Sequence, residues 1–500
     1  MIQILRPLSL AGITLSALFL SLMLLRETFL GDPGVGWHLE TGHHILSSRE
    51  LPITDLLPSI SVGKKWVADQ WLSDVIGYAL VSSGGVIALH FAVSLVFLFI
   101  CYPLMPWAFF RLRIGGAVSL FFSLTLVSVM ISMQSIARPV IVSFLFFSIV
   151  CNFLFVAHRG ALPRRRLWLL LPVFLLWVQM HPAFILGLML VCLEGVFFVV
   201  RVMAQRSKPV PMQVGIIEPL FFPMVVLLTV FVSPYGFRLL ESAVSLGQSR
   251  YFMQLNSEWH SPVFYELYYW PFYLAFFLLL QLAMLKSAVR LDLFQWVVVG
   301  FFAFMSFQHR RYIPFFAITA FLPLSVLFDE CVQWVVRGSF GFGKAIIRLE
   351  RRQYGLWGSQ ELLFSFVLAS VIGMRDPAMV TTGSVCDWPN ARVPDLTHVA
   401  PLVGDERIYN TPDLGGVLVD CSAGRQKYFI DDRNSLHEPE LYEDFFSIYS
   451  IGPRWREVAA GHRLNWFLLD NNEPLSLVLQ SSSETESFSA GKNFRLFHLR

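Results

Sequence analysis

The chain has 500 residues, of which 55% are hydrophobic and 15% are charged, and its mean hydropathy is +0.59. About a quarter of the residues in a soluble globular domain are charged, so this composition excludes that class and indicates a multi-pass membrane protein. The formal net charge of +3 is small, and nothing in the composition indicates a nucleic-acid partner. We therefore expect membrane lipid, and no nucleic acid, as a partner.

Eleven apolar segments predict about eleven membrane crossings, several of them shorter than the ~20 residues that an upright helix needs. The segments are 8–25, 75–100, 117–131, 140–157, 167–178, 183–200, 216–232, 271–285, 293–307, 313–328 and 362–372. Arg26 and Glu27 follow the first segment without a small-residue cleavage site, so we interpret it as an uncleaved span rather than a signal peptide.

Basic residues between the segments predict the orientation of the chain. With the N-terminus in the cytoplasm, every second loop returns there, and each of these loops is basic, as the positive-inside rule requires. The loops contain Arg111 and Arg113; Arg159, Arg164, Arg165 and Arg166; Arg201, Arg206 and Lys208; Lys286 and Arg290; and Arg337, Lys344, Arg348, Arg351 and Arg352. The long loops at about 27–74 and 233–270, and everything after Arg375, are then exported.

The segment 167–200 has basic clusters at both ends, so we expect it to cross twice, turning at Gln179, Met180, His181 and Pro182. Proline breaks a helix, and a break at membrane depth is tolerated only where it faces protein or a watery cavity. The tip of this hairpin is therefore predicted to line a cavity that opens to the outer face.

The change in composition after Arg375 predicts three regions: a transmembrane domain at 1–374, a linker at 375–404 and a small exported α/β domain at 405–500. In the last region we expect strands at 427–431, 466–469 and 494–499, helices at 441–449 and 454–462, and a loop at 481–489. If this region is exported, Cys386 and Cys421 either form a disulfide or remain free thiols.

The first exported loop concentrates carboxylates, imidazoles and tryptophans, and together with later motifs it resembles a known family. The motifs are Asp32, Pro33, Trp37, His38 and Gly42; Leu51, Pro52 and Asp55; Trp66, Trp71 and Leu72; Arg138 and Pro139; Trp177 to His181; Ser233 to Gly236; Glu258, Trp259, Ser261 and Pro262; Arg311 to Pro314; Tyr409, Asn410, Gly415 and Gly416; and Ile430 to Arg433. Over nearly the whole chain, the combination resembles a family of uncharacterised bacterial multi-pass membrane proteins that look like members of the GT-C glycosyltransferase superfamily.

This resemblance implies an all-α polytopic bundle in a bacterial inner membrane, with the first exported loop packed as interfacial helices over a cavity. It also implies that the loop supplies an acidic catalytic residue, and Asp32 occupies that place. The chain departs from the family pattern at Gly34, where a second acidic residue is common, and at Asp69 and Gln70, which replace a His-Glu pair. The first departure weakens an Asp-x-Asp metal site, and the second leaves the role of Asp69 open.

Sugar transfer from a lipid phosphate needs a base for the acceptor and positive charge for the departing phosphate. We interpret Asp32 as the base; its alternative role is to cap the turn before Pro33. Arg138, Arg310 and Arg311 are the candidate phosphate contacts, or they extend to lipid headgroups.

The remaining candidates are polar side chains at the same boundary. His38 and His181 are interpreted as substrate contacts in the cavity, with hydrogen bonding at its rim and helix capping as the alternatives. Glu258 either orients the acceptor or is merely solvated. A metal cluster of His38 with His43 and His44 lacks a third spaced ligand, so we predict neither a metal site nor a cofactor.

Two further groups have open roles. Trp37, Trp66, Trp71 and Trp259 either stack on sugars or anchor the interface. Asp431, Asp432 and Arg433 follow a predicted strand, where they form a ligand site or a local ion pair.

These observations predict a membrane glycosyltransferase that moves a sugar from a polyprenyl-phosphate-linked donor to an exported lipid, glycan or protein acceptor. One alternative is a transporter or flippase of an amphipathic lipid or glycan, whose polar residues should continue through the spans. Another is a non-catalytic assembly protein that uses the C-terminal domain for interaction.

Overall fold

A computed structural model describes residues 34–134, 136–204, 212–248, 253, 256–338, 386, 394–433 and 436–500 of the chain. Within these ranges the first part of the protein is helical. The helices are α1 (Val35–Ser48), α2 (Trp71–Phe99), α3 (Met105–Arg111), α4 (Ala117–Ser132), α5 (Val140–His158), α6 (Leu171–Met180), α7 (Phe184–Ala204), α8 (Met212–Leu228), α9 (Arg238–Gln248), α10 (Trp270–Met284), α11 (Leu293–Gln308) and α12 (Ile313–Gly338). Asp32 lies outside the described residues.

Five described helices are long and apolar enough to cross a membrane: Trp71–Phe99, Val140–His158, Phe184–Ala204, Leu267–Met284 and Arg310–Gly338. Shorter apolar helices lie at Val118–Ser132, Glu218–Val232 and Leu293–Gln308. These eight helices coincide with eight of the eleven predicted segments. The segments 8–25 and 362–372 lie outside the described residues, so a total of eleven crossings stays a prediction.

Helix α12 forms the centre of the bundle, where it packs against α4, α10 and α11. Its sequence is apolar on all sides over most of its length, which is the pattern of a helix enclosed by others. The few polar side chains in its interior are satisfied locally. Ser325 donates to Ser123 on α4 at 2.9 Å, so the contact between the two helices leaves neither hydroxyl unpaired.

Opposite charges meet around the buried Glu194 on α7. Arg164 donates to this carboxylate from Nη1 and Nη2, at 2.6 and 3.0 Å, and its Nε donates to Glu218 at 2.8 Å. His158 Nδ1 lies 3.2 Å from Glu194 Oε1. One arginine of the basic cluster after α5 therefore neutralises acidic groups within the protein.

The predicted break between α6 and α7 is confirmed. The backbone of His181 is extended (φ −169°, ψ 138°), and α7 begins at Phe184, after Pro182. The His181 Nδ1 atom accepts a hydrogen bond from the Ala183 N–H at 3.1 Å. Ser73, near the start of α2, donates to the Met180 carbonyl at 2.8 Å, so the hairpin tip is attached to the end of the first long loop.

The C-terminal region is a small α/β unit. Its strands are β1 (Ile408–Tyr409), β2 (Trp466–Asp470), β3 (Thr485–Ser489) and β4 (Phe494–Leu499), in the order β1-β2-β4-β3, with β1 parallel to β2 and the other pairs antiparallel. Its helices are α13 (Leu396–Val403), α14 (Pro412–Cys421), α15 (Pro439–Tyr449), α16 (Trp455–Gly461) and α17 (Pro474–Ser481).

Successive side chains of β2 point to opposite faces of the sheet, and both faces are buried. Phe467 and Leu469 pack with α15, α16 and α17 on one face. Trp466 and Leu468 face the other way and join a cluster with residues of the first loop. This second cluster includes Trp37, Leu57, Trp66 and Tyr235. The C-terminal unit is therefore packed on the first loop through a shared apolar core.

Close backbone contact reinforces this docking. A Cβ atom built at Gly36 of α1 would lie 2.6 Å from the carbonyl carbon of Gly416 on α14. The two helices can approach this closely because neither carries a side chain at the contact. In addition, Cys386 and Cys421 are joined in a disulfide with a Cα–Cα distance of 5.6 Å, which attaches residue 386 to the end of α14.

The predicted strands at 466–469 and 494–499 and the helices at 441–449 and 454–462 are confirmed. The predicted strand at 427–431 is wrong: Tyr428 makes only a single parallel bridge to Ile408, because the chain then turns to bury Asp431 in a polar cluster. The predicted loop at 481–489 is also wrong in part, since Thr485–Ser489 is β3. A polar strand is tolerated there because it lies at the edge of the sheet.

Candidate active site

A pocket of about 110 Å³ lies where α1, the end of the first loop, the hairpin tip, the second long loop and the C-terminal unit meet. Its charged lining residues are Asp69, Arg138, Glu258, Arg311, Asp432 and Arg433. Its other polar and aromatic lining residues are Trp37, His38, Trp66, Gln70, His181 and Asn256. The structure thus brings together His38, Arg138, His181, Glu258 and Arg311, which lie in five separate segments of the sequence.

The two adjacent arginines in the turn before α12 point to different partners. The guanidinium of Arg311 stacks over the Trp259 ring at 4.4 Å and lines the pocket. Arg310 instead donates from Nη1 to the Tyr269 hydroxyl at 2.6 Å, and its side chain is not part of the described lining. A short 3₁₀ turn points these neighbouring side chains in different directions, so Arg311 lines the pocket and Arg310, also a candidate phosphate contact, does not.

The second long loop is attached to this same turn. His309 Nδ1 lies 2.6 Å from the Trp259 carbonyl oxygen, and the Arg310 N–H donates to the His260 carbonyl at 3.0 Å. Among the described residues, no cation forms an ion pair with the Glu258 carboxylate. The backbone N–H of Glu258 donates to Asn256 Oδ1 at 3.0 Å. These backbone contacts hold Glu258 at the pocket wall.

His38 is buried and fixed from two sides. Its Nδ1 lies 2.7 Å from Asp74 Oδ1, and its ring stacks on Trp37 with the centroids 3.5 Å apart. A carboxyl group hydrogen-bonded to one ring nitrogen fixes the orientation of an imidazole. His38 therefore presents a defined edge to the pocket.

His181, in the turn between α6 and α7, is held neutral. Burial, together with the nearby charges of Arg311 and His38, keeps the pKa of His181 well below its usual value. A neutral imidazole can accept as well as donate a hydrogen bond, which a charged imidazole cannot do.

Asp69 is a pocket residue whose role the sequence left open. It is half-buried, and burial, helped by the charge of Asp74, raises its pKa from 3.8 to about 7. No described Arg, Lys or His forms an ion pair with it. A carboxyl group of this kind is ready to exchange a proton near neutral pH. The sequence signals that marked it were its position between Trp66 and Trp71 and its departure, with Gln70, from the His-Glu pair of the family pattern.

Asp432 enters the pocket from the C-terminal unit. Its two oxygens accept hydrogen bonds of 2.6 Å, one from Trp37 Nε1 and one from Arg138 Nη2. From its sequence position after a predicted strand, Asp432 was expected in a ligand site or in a local Arg-Asp pair. The structure shows a third arrangement, in which the partner arginine lies 294 residues away in the chain.

Behind the pocket wall, Arg433 is the centre of a buried polar cluster. It donates to Asp55 and to Asp431, with shortest distances of 2.6 Å to each, and its guanidinium lies 4.9 Å from the Trp66 ring. Burial opposes ionisation of Asp431, but Arg433 and His437 reverse this effect and hold its pKa well below the usual range. The cluster joins the first loop to the C-terminal unit.

Among the residues that the structure describes, no group of three or more His, Cys, Asp or Glu side chains is arranged to hold a metal ion.

An apolar helical bundle, a helix of the first loop against a polar pocket, and a C-terminal unit that covers this loop make up a fold that is similar to that of a known membrane enzyme. Similar solved structures include those of the oligosaccharyltransferase of Archaeoglobus fulgidus. Its apo form has a TM-score of 0.56 at 10% sequence identity, with 92% of this chain and 69% of that chain covered.

Two further structures of the archaeal enzyme are also similar. The form tethered by a disulfide to an acceptor peptide with the NVT sequon has a TM-score of 0.53 at 11% identity, covering 96% of this chain and 73% of that one. The complex of AglB with an inhibitory peptide and a dolichol-phosphate has a TM-score of 0.52 at 10% identity and the same coverage. This likeness in fold agrees with the GT-C-like fold that the sequence resemblance implied.

No family model matches the sequence, and no curated protein matches it.

Proposed function

We propose that this protein is a membrane glycosyltransferase that moves a sugar or glycan from a polyprenyl-phosphate-linked donor to an exported acceptor, which is a lipid, a glycan or a protein. The observation that carries the proposal is the convergence of three arginines, two histidines and three carboxyl groups in one pocket at the ends of apolar helices. The likeness in fold to an oligosaccharyltransferase supports the same conclusion.

The donor phosphate would bind between Arg138 and Arg311. Both guanidinium groups line the pocket, and a planar fork of N–H donors suits phosphate oxygens. In transfer, an acceptor oxygen or nitrogen attacks the anomeric carbon of the sugar and forms the new bond. The bond from that carbon to the phosphate oxygen breaks, and the phosphate keeps the electron pair, which the two arginines stabilise.

The acceptor proton passes to a carboxylate, and we assign this role to Asp32. Asp32 lies two residues before Gly34 in the sequence, and Gly34 lies beside Arg138. The closeness in sequence of Asp32 to a residue beside Arg138 supports this assignment. Asp69 is a carboxyl group that lines the pocket, and its pKa of about 7 suits a supporting role in proton transfer.

The acceptor would enter beside the second long loop, where Glu258 and Asn256 line the wall. His38 and His181 provide hydrogen bonds of fixed direction for substrate hydroxyl groups. Trp37 and Trp66 offer the aromatic faces on which sugar rings stack.

We propose a bacterial inner-membrane protein with a cytoplasmic N-terminus and an exported C-terminal domain. The disulfide between Cys386 and Cys421 supports this orientation, because such bonds persist in oxidising compartments. Reporter fusions after residue 338 and after residue 500 test this orientation. A reporter at residue 500 that is found in the cytoplasm would refute it.

The function is tested with purified protein in lipid nanodiscs and a panel of polyprenyl-phosphate and polyprenyl-pyrophosphate sugars. We expect turnover by the wild type, loss of turnover with retained donor binding in Asp32→Asn, and weakened donor binding in Arg311→Gln. Arg310→Gln is the matched control, since this neighbouring arginine bonds Tyr269 rather than lining the pocket. Donor binding without turnover in the wild type would instead favour a transporter or a non-catalytic assembly protein.

A further inference from the structure

The carboxylate of Asp432 joins three parts of the chain at the pocket wall. Trp37 of α1, Arg138 before α5 and the C-terminal unit meet there through two hydrogen bonds of 2.6 Å. The Arg138 and Asp432 side chains are 22% and 12% exposed, so solvent screens the pair only weakly. A charge-assisted hydrogen bond in such surroundings is strong and constrains the orientation of the guanidinium group.

Gly34 lies directly against this pair. A Cβ atom built at Gly34 would be 2.5 Å from Asp432 Oδ2 and 3.0 Å from Arg138 Cζ. The backbone there is ordinary right-handed (φ −63°, ψ −16°), so the conformation itself does not require glycine. Glycine is required for steric reasons, because a side chain at position 34 would occupy the same space beside Arg138 as the carboxylate of Asp432.

The neighbours of Asp432 in sequence hold it in position. Arg433 is bonded to Asp55 of the first loop, and Asp431 is bonded to Arg433 and His437. The side chains of all four of these neighbours and partners are at most 1% exposed. Because the flanking residues are buried and paired, the docked C-terminal unit leaves Asp432 little freedom to move.

We propose that Asp432 is a positioning residue for Arg138: the C-terminal unit supplies the carboxylate that orients this guanidinium for the donor phosphate, so docking of the unit completes the donor site. A guanidinium has five N–H donors, and it can bond a carboxylate and a phosphate oxygen at the same time. This inference rests on the proposed function, because it takes the ligand of Arg138 to be the phosphate of a polyprenyl-linked donor.

The crowding at Gly34 allows a direct test in the full-length protein, since the carboxylate can be moved from position 432 to position 34. The variants are Asp432→Gly, the double variant Gly34→Asp/Asp432→Gly, and the double variant Gly34→Ala/Asp432→Gly. The last fills the same space without a charge and is the matched control. The apparent Kd for a polyprenyl phosphate is measured in nanodiscs by native mass spectrometry, and the thermal unfolding midpoint is measured on the same samples.

We expect Asp432→Gly to weaken polyprenyl-phosphate binding about tenfold or more, the change that the loss of one charge-assisted hydrogen bond produces. The Gly34→Asp/Asp432→Gly variant should recover binding to within about threefold of wild type, since one relocated hydrogen bond restores most of that loss. The Gly34→Ala/Asp432→Gly control should not recover. Unchanged or tighter binding in Asp432→Gly, or equal binding in the two double variants, would overturn the proposal.

The thermal midpoints separate this inference from the proposed function. If the wild type does not bind polyprenyl phosphate, the proposed function fails. The positioning contact is then judged by stability alone: Gly34→Asp/Asp432→Gly must unfold at a higher temperature than Gly34→Ala/Asp432→Gly, and equal midpoints would overturn the contact as well.

Discussion

Arg433 donates two hydrogen bonds to Asp55, at 2.6 and 3.2 Å, across a separation of 378 residues. Neither side chain is more than 1% exposed. This pair and its neighbours make the C-terminal unit part of the pocket wall, rather than a separate appendage of the membrane bundle.

Replacing Arg433 by Met should destabilise the docked C-terminal unit strongly. The change leaves Asp55 and Asp431 buried without their shared cation, and removal of one partner from a buried ion pair costs about 3–5 kcal/mol. Thermal unfolding in detergent and hydrogen exchange of residues 51–66 measure the effect. The matched control is Lys64→Met, which breaks an exposed 3.0 Å pair with Glu438 between the same two parts and should cost less than about 1 kcal/mol. Equal losses of stability in Arg433→Met and Lys64→Met would contradict the conclusion that Arg433 holds the C-terminal unit on the first loop.

Asp69 should make the stability of the protein depend on pH. Its pKa in the folded protein is about 7, above the unfolded value of 3.8, so the folded state binds the proton more tightly. The stabilisation is fully present below about pH 4 and is lost as the pH rises through 7. Asp69→Asn cannot ionise, so its unfolding midpoint should fall less than that of the wild type between pH 5.5 and pH 8.5. If the unfolding midpoints of both proteins fall by the same amount between these two pH values, Asp69 is not the source of the pH dependence.

Glu194→Ala should destabilise the helical bundle by about 3 kcal/mol, because Arg164 then loses its bidentate partner in a largely buried position. The double change Glu194→Ala/Arg164→Met should cost less than Glu194→Ala alone, since it also removes the largely buried charge of Arg164 and leaves only the more exposed Glu218 without its partner. Unfolding midpoints in detergent provide the comparison. A double variant that is less stable than either single variant would show that packing, rather than charge, dominates here.

Cys421→Ser should lower the stability of the C-terminal unit. The disulfide closes a separation of 35 residues, for which chain entropy predicts about 4 kcal/mol. The free and exposed Cys331 is the control, and Cys331→Ser should leave the unfolding midpoint unchanged. Reduction of the wild type should reproduce the Cys421→Ser midpoint, and a reductant that lowers both proteins equally would argue against the bond as the cause.

Much of the local structure followed from the sequence. The apolar segments match the described helices, Pro182 breaks the hairpin where expected, and the strands Trp466–Asp470 and Phe494–Leu499 lie where alternating apolar residues indicated. These features depend on neighbours within a few residues, and helix and strand periods record such neighbours in the sequence itself. The polar strand Thr485–Ser489 was missed because its pairing depends on β4 rather than on its own pattern.

The site was predictable only in its parts. Polar and charged residue types near a membrane boundary, together with the family resemblance, marked His38, Arg138, His181, Glu258 and Arg311 as candidates. Only the tertiary structure separated Arg311 from Arg310, brought Asp69 into the pocket and set Asp432 against Arg138. Contacts across hundreds of residues depend on how helices and the C-terminal unit pack, and no local period in a sequence encodes that packing.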